Sequence, residues 1–419
     1  MEKERSTAGR ELTSMHSRAR PLRLCCRPTV FNSVTKGTYL FLEVSEAMTD
    51  IRSCLPPKMF QILLGNASTI NLGALPAEVF DVCTPTEGSR EVIEVPRGKK
   101  WLSFEVISTA SIGTFAFSID EHPLWVYAVD GHYIEPLKVD VLTVANGDRY
   151  SVFIELKKDT RDYGIRMASL ALAQLIDTTA VLSYGGKLEH GHYKNSTSTD
   201  AIISTPYTNQ AGLPTSGNVT VFNQAQMVSF PPQYPQTSPK IDQTVFMTLG
   251  NVRNSYSWAM NRTLFNHAML DNADPPLLYQ TPSPNNPGQN LTIITKNGTW
   301  VDLIFLVPGL SQPPHPIHKH SNRGFIIGAG EGSFNWTSVA DAAAAIPQNF
   351  NLVNPPYRDG FVTPPTGTQP SWLAVRYQVV NPGAFMLHCH IQSHLNGGMA
   401  MVILDGVDEW PDVPEEYKN

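Results

Sequence analysis

The chain has 419 residues, enough for two or three domains, with only 16% charged residues and a formal net charge of −6. No basic stripe appears, so a nucleic-acid partner is not expected, and no apolar run reaches the roughly 18 to 20 residues of a transmembrane helix. The 33 prolines and 29 glycines, among many Thr, Val and Ser, point to short strands separated by turns.

Residues 1–56 open with MEKERSTAGRELTSMHSRARPLRLCCRP, which is charged and lacks the apolar centre of a signal peptide. A disordered tail, an Arg- and Ser-bearing targeting segment and an incorrect start of the coding sequence are the three readings. The last is favoured by the ligand count given below. Cys25 and Cys26 have no metal-site spacing, and Cys54 and Cys83 are candidates for a disulfide. Seven N-x-S/T sequons, at Asn66, Asn195, Asn218, Asn261, Asn290, Asn297 and Asn335, favour a secreted glycoprotein, in tension with this N-terminus.

Between 57 and 188, REVIEV, WLSFEVIS, GTFAFSID, PLKVDVLTV and RYSVFIEL alternate apolar and polar residues, and PRGKK, DGHY and NGDR separate them as turns. Period-two alternation marks strands with one buried face, and many short ones mark a Greek-key sandwich. His122, before Pro123, and His132 read as loop histidines at strand ends. Residues 189–240 are rich in Ser, Thr, Asn and Pro and read as a connection. His190 and His192 form an H-x-H pair at its start, with no strand pattern to hold them rigid. From 241 to 419, QTVFMTLG, LTIITK, WVDLIFLVPG, GFIIGAG, WLAVRYQVV and GAFMLHCHI read as strands of a second sandwich, and VADAAAAIP as a short helix stopped by Pro347. The expected fold class is all-β.

Six of the 12 histidines fall in two short runs, HPIHKH (His315, His318, His320) and HCHIQSHLNGGM (His388, His390, His394). The second run also holds Cys389 and Met399. A thiolate, an imidazole and a thioether on one short segment are the donors of a blue-copper site, which needs one more imidazole that HPIHKH can supply. Zinc also accepts Cys and His, but the thioether argues for copper. On a strand, alternate side chains point to opposite faces. His388 and His390 therefore face away from Cys389. By the same rule His318 and His320 share a face, and His315, across Pro316, faces the other centre.

HPIHKH followed about 70 residues later by HCHIQSHLNGGM resembles the paired copper motifs at the C-terminal end of the multicopper oxidases, the group of laccases, ferroxidases and ascorbate oxidases. The resemblance implies that His315, Cys389 and His394 bind a type 1 copper, with Met399 as axial ligand. It implies that His318 binds the type 2 copper, and that His320, His388 and His390 bind the type 3 pair. Ser321 departs from the glycine that usually follows the third histidine of the first motif. FSIDEHPLWVYAVDGHYIEP and VDVLTVANGDRYSVFIEL resemble the family's middle domain, and NLVNPPYRDGFVTPP its C-terminal one. The implied architecture is two Greek-key cupredoxin-like β-sandwich domains, 57–188 without copper ligands and 241–419 with them.

The activity implied is one-electron oxidation of phenolic or similar small molecules coupled to reduction of O2 to water, with Cys389, His388 and His390 as the route of the electrons. The family's three-copper cluster also draws on H-x-H motifs of the type H-W-H-G and H-S-H in a first domain, and none lies before residue 59. The chain thus offers a complete type 1 site and half of the cluster: His318, His320, His388 and His390. That count is the ground for expecting a mis-started product, a crippled oxidase and self-association through the uncovered face. The alternatives are a copper-binding or electron-transfer protein without oxidase activity and a ferroxidase, for which Glu331 is an acidic candidate. The parent family is secreted or extracellular, and neither a nucleic acid nor a membrane span is implied.

Overall fold

WLSFEVIS alternates, and the strand it forms, Trp101–Ser108, buries every second side chain: Leu102, Phe104, Val106 and Ser108. Here and below, the computed structural model describes residues 30–32, 39–45 and 92–417, apart from 96–97, 111–112, 157–158, 171–177, 186–201, 210–211, 236–240, 253–256, 268–274 and 285–289. Trp101–Ser108 lies in a six-stranded sheet whose spatial order is Val30–Asn32, Tyr39–Ser45, Trp101–Ser108, Arg149–Glu155, Leu124–Val129 and His132–Val139. A five-stranded sheet, Val92–Glu94, Thr178–Ser183, Asp162–Ser169, Phe115–Ile119 and Leu142–Val144, packs against it. Phe104, Phe115, Phe117, Val126, Val152 and Ile165 fill the space between.

The run PLKVDVLTV is split by Asp140, so that its two halves pair in opposite sheets. Asp140 takes the bend through bonds from the backbone N–H and hydroxyl of Thr220, both 2.8 Å. Two strands fall inside the segment for which no regular element is expected. Tyr39–Ser45 runs parallel to Trp101–Ser108 and pairs antiparallel with Val30–Asn32; YLFLEVS is a short run rich in aromatic and aliphatic residues, a composition that favours a strand. His122 lies in the connection between Phe115–Ile119 and Leu124–Val129, as a loop histidine does, and is buried there. It is 1% exposed, donates from Nδ1 to the Asp120 carbonyl at 2.7 Å and meets the Tyr184 hydroxyl at Nε2 at 2.8 Å. His190, His192, Cys25, Cys26, Cys54 and Cys83 lie outside the described residues.

The second sandwich repeats the plan. Its six-stranded sheet runs Trp258–Met260, Gln243–Asn251, Trp300–Val307, Ser371–Gln378, Gly324–Glu331 and Tyr357–Arg358; its five-stranded sheet runs Thr292–Ile294, Ala400–Asp405, Gly383–Cys389, Pro316–Lys319 and Gly360–Val362. WVDLIFLV is apolar except for Asp302, because both of its faces are covered, and buried Asp302 is paired with Arg376 of the neighbouring strand. Leu303 and Phe305 enter the sandwich core, while Ile304 joins Trp372, Ile327 and Val339 outside it. Val339 belongs to the helix Val339–Ala345, capped by the Ser338 side chain and halted before Pro347. No described helix is long and apolar enough to cross a membrane.

The sandwiches meet through buried charge. The Arg358 guanidinium, 1% exposed, donates to both Asp130 and Asp148 of the first sandwich. Arg149 donates to both carboxylate oxygens of Asp359 at 2.9 and 2.7 Å, and Arg323 to the Asp130 carbonyl at 3.0 Å. Removing one partner of such a group strands the others in a dry site. Arg358→Met is therefore expected to lower unfolding stability by roughly 3–5 kcal/mol, read from denaturant midpoints. A change below about 1 kcal/mol would show that water already reaches this interface.

Candidate metal centre

The register between two strands places the donors. Pro316–Lys319 and Gly383–Cys389 run antiparallel with Ile317 opposite Cys389 and His318 opposite His388. Opposed residues share a face, so Ile317 and Cys389 point into the core and His318 and His388 point out of it. Both core-facing side chains are fully buried. After Cys389 the chain turns, and one helical turn, Gln392–Asn396, brings His394 back. Met399 locks that turn: its N–H donates to the His394 carbonyl at 2.9 Å, and its carbonyl accepts from the Cys389 N–H at 3.1 Å. His315, just ahead of the other strand, is held by Thr363, whose hydroxyl oxygen accepts from the His315 N–H at 2.9 Å and whose N–H donates to the His315 carbonyl at 3.1 Å.

Two imidazoles thereby present Nδ1 to one sulfur. His394 Nδ1 is 3.6 Å and His315 Nδ1 4.0 Å from Cys389 Sγ, and all three donor atoms lie within 4.8 Å of one another. A late first-row ion about 2.0 Å from each nitrogen and about 2.3 Å from the sulfur needs sulfur–nitrogen separations of roughly 3.7 Å in a trigonal plane. The donor set fits such an ion without rearrangement. Met399 is fully buried between the backbones of two of the donors. Trp258 lies flat on His394, centroids 3.7 Å apart and planes 21° apart, and edge-on to His315 at 5.6 Å.

The other four histidines gather on the outward face. His318 and His320 ring centroids are 4.9 Å apart, His320 and His388 5.3 Å, and His388 and His390 5.6 Å. His388 Nδ1 donates to the Cys389 carbonyl at 2.9 Å, and His318 Nδ1 to the Asp359 carbonyl at 3.3 Å. A neutral imidazole that donates from Nδ1 keeps its lone pair on Nε2. His388 Nε2 faces His320 Nε2 at 3.2 Å. Glu331 is the exposed last residue of a strand in the other sheet.

Burial favours the neutral forms of Cys389 and of five of the imidazoles. It pushes the Cys389 thiol up to about 12 and the His315 and His388 imidazoles down to about 4. His394 is pulled well below its ordinary range by burial and then by His315, and burial also lowers His320 and His390. Asp359 goes the other way: burial would raise its carboxyl, but bonds from His318 and Arg149 hold it well below the usual range. Neutral imidazoles and a thiol that must give up its proton are the starting state of a cation site.

With that geometry in place, the comparisons with known proteins are specific. Two family models, both described as multicopper oxidase, match residues 55–187 and 259–409. The chain belongs to the multicopper oxidase family. The multicopper oxidase elcG of Phaeosphaeria nodorum is 36% identical over 400 residues, 94% of this chain and 62% of the relative. Laccase abr2 of Aspergillus fumigatus is 38% identical over 345 residues, 81% of this chain and 56% of the relative. The chain thus spans less than two thirds of the length of these relatives. The laccase of Botrytis aclada shares the fold, with a TM-score of 0.59 at 22% identity over 78% of this chain and 55% of that one. Fet3p, a multicopper oxidase that functions in iron import, has a TM-score of 0.59 at 16% identity over 90% of this chain and 69% of that one.

Seven of the eight residues singled out as ligands fall into these two groups by side-chain geometry, and Met399 is tied to the first by its backbone bonds to Cys389 and His394. Trp258, Thr363 and Asp359 had no role there, since none lies in a metal-ligand spacing. The low titration points carry a stability prediction. Unfolded imidazoles titrate near 6.5, so below that pH the unfolded apo-protein takes up protons that folded His315 and His388 refuse until about pH 4. The stabilisation is full above pH 6.5 and is lost as pH falls toward 4. Urea midpoints of the apo-protein should decline across that window, and a flat profile would contradict the buried, neutral state of these rings.

Proposed function

We propose that this chain carries the blue-copper site and half of the three-copper cluster of a laccase-type oxidase, which couples one-electron oxidation of phenolic or similar molecules to reduction of O2 to water. One observation carries the reading. Cys389 places its sulfur among His315 and His394, while its two neighbours, His388 and His390, join His318 and His320 on the other face. His315, Cys389 and His394, with Met399 as axial donor, would hold type 1 copper; His318 would hold type 2 and His320, His388 and His390 type 3. Copper supplies the one-electron couple, and the family's full cluster supplies the four-electron chemistry of O2.

The protein's part is to bind, orient and insulate. Cys389 gives up its proton and thereafter links the two groups of donors through single peptide units on either side. The Nδ1 bonds of His388 and His318 aim the Nε2 lone pairs. Trp258, stacked on His394, keeps water from the donors beneath it. Four imidazoles are half of what the family's cluster uses, and of the other histidines His122 and His267 are bonded elsewhere, to Tyr184 and to the Leu395 carbonyl. The outward face, with His320 exposed and His318 and His390 half-buried, is where a further copper-binding surface or a second copy would pack. A ferroxidase reading has Glu331, the exposed last residue of a strand in the other sheet, as its acidic candidate. Exposed Asn218, Asn290, Asn297 and Asn335, each in a sequon, support a secreted glycoprotein.

Copper-loaded protein is expected to be intensely blue and to bleach when a phenol is added without air. Cys389→Ser should be colourless from the outset. A colourless loaded protein, or a blue Cys389→Ser variant, would overturn the type 1 assignment. Bleaching by Fe(II) but not by phenols would favour the ferroxidase reading.

A polypeptide of these 419 residues alone is expected to hold about one tightly bound copper and to show no steady O2 uptake. Near four coppers with steady uptake would show that the half-site is completed.

A further inference from the structure

The first sandwich has no residue in either donor group, yet one of its turns lies against His390 and reaches His318 through Asp359. Ala145–Arg149, the turn NGD of the sequence with its flanks, is fixed from several sides. Asn146 Nδ2 donates to the Ala110 carbonyl at 2.8 Å, and the Gly147 N–H to the Ser108 carbonyl at 3.1 Å. The Ala145 N–H donates to the Asp148 carboxylate at 2.9 Å, and the same Asp148 carboxylate receives Arg358 from the second sandwich. The turn is a rigid part, and its tip is Gly147, with φ +81°.

Gly147 lies directly against the His390 ring. A Cβ at this position would come within 2.3 Å of His390 Cδ2 and 2.6 Å of Nε2. A ring cannot stay where it is against such an atom. Two residues on, Arg149 donates to the Gly147 carbonyl at 3.0 Å and reaches across to both oxygens of Asp359. Asp359 is the group behind His318: its carbonyl accepts from His318 Nδ1, and its carboxylate lies 3.5 Å from the same nitrogen. Between them, Gly147, Asp148, His318, Gly360 and His390 line one small cleft at the junction of the sandwiches.

We infer that the Ala145–Arg149 turn is a positioning element for the histidine half-site: Gly147 sets the His390 ring by contact, and Arg149 sets the His318 ring through Asp359. The inference rests on the reading of those histidines as metal donors. It also gives the first sandwich a function in the site beyond support. Groups behind a metal-ligating imidazole fix its orientation, and losing one typically weakens metal binding about 10- to 100-fold.

The test separates positioning from plain destabilisation. Gly98 is a second glycine of the same sandwich with positive φ, +71°, and nothing lies within 4 Å of its would-be Cβ. Gly147→Ala and Gly98→Ala therefore carry similar backbone strain, and only the first meets a histidine. Imidazole NMR signals are followed in the apo-protein, and copper affinity of the half-site is measured with Cys389→Ser present, so that the type 1 site does not contribute. Gly147→Ala is expected to shift the His390 signals and weaken half-site copper binding about tenfold or more. Arg149→Gln is expected to shift the His318 signals instead, with a similar loss. Gly98→Ala should do neither. His390 signals unmoved by Gly147→Ala, or moved equally by Gly98→Ala, would overturn the inference for Gly147. If Gly147→Ala does not fold, an unmoved His318 signal in Arg149→Gln overturns it. Absence of any half-site copper binding in the Cys389→Ser parent would defeat the metal-site reading, while the ring signals still decide the positioning.

Discussion

The strand register Ile317 opposite Cys389 is the constraint on which the rest depends. Side chains of a strand alternate, so three consecutive residues, His388, Cys389 and His390, serve two separate groups of donors only if Cys389 faces inward. A slip of one residue would turn the thiol outward and bury both flanking imidazoles. The same register turns Lys319 inward between His318 and His320. Lys319 is fully buried, and Asp405 accepts from it at 3.0 Å and also from Thr295, Asn322 and Tyr377. A slip would break this polar cluster too, because a buried ammonium without its carboxylate is costly. The H-K-H pattern is thereby pinned from the core side as well as from the ligand side.

Burial and chemistry work together at the site. Water is excluded from the sulfur site, so His315 and His394 stay neutral and the thiol keeps its proton until a cation replaces it. Charge is placed elsewhere, in the seam between the sandwiches, where the guanidiniums of Arg358 and Arg149 meet the carboxylates of Asp130, Asp148 and Asp359. That seam abuts the histidine half-site through Asp359 and Gly147 but does not reach the sulfur site, which is walled by Trp258, Thr363 and the apolar core.

The donors were legible in the sequence because their spacing is local: H-C-H on one strand, H-x-H on another, and fixed steps to His394 and Met399. Their separation into two faces followed from strand alternation alone. The family likeness supplied the pairing of the two motifs. What the sequence did not disclose is carried by contacts between distant segments. His122 reads as a loop residue before a proline, and only the fold brings Tyr184 to its ring. Arg358 and Asp130 are 228 positions apart and show no pattern in either neighbourhood. Lys319 looks like a solvated residue until the strand direction is known. Gly147 announces a turn, but what the turn touches is a matter of how two sandwiches pack.

The central claim is that the fold holds His315, Cys389 and His394 ready for one copper ion before the ion arrives. Crystal structures of the apo-protein and of the copper-loaded protein test it most directly. The account predicts copper bound to Cys389 Sγ and to both Nδ1 atoms, with Met399 beside it and donor atoms displaced by no more than about 0.5 Å, the tolerance of a preorganised site. Copper bound without the Cys389 sulfur, or donor side chains that swing by several times that distance to reach it, would contradict the account.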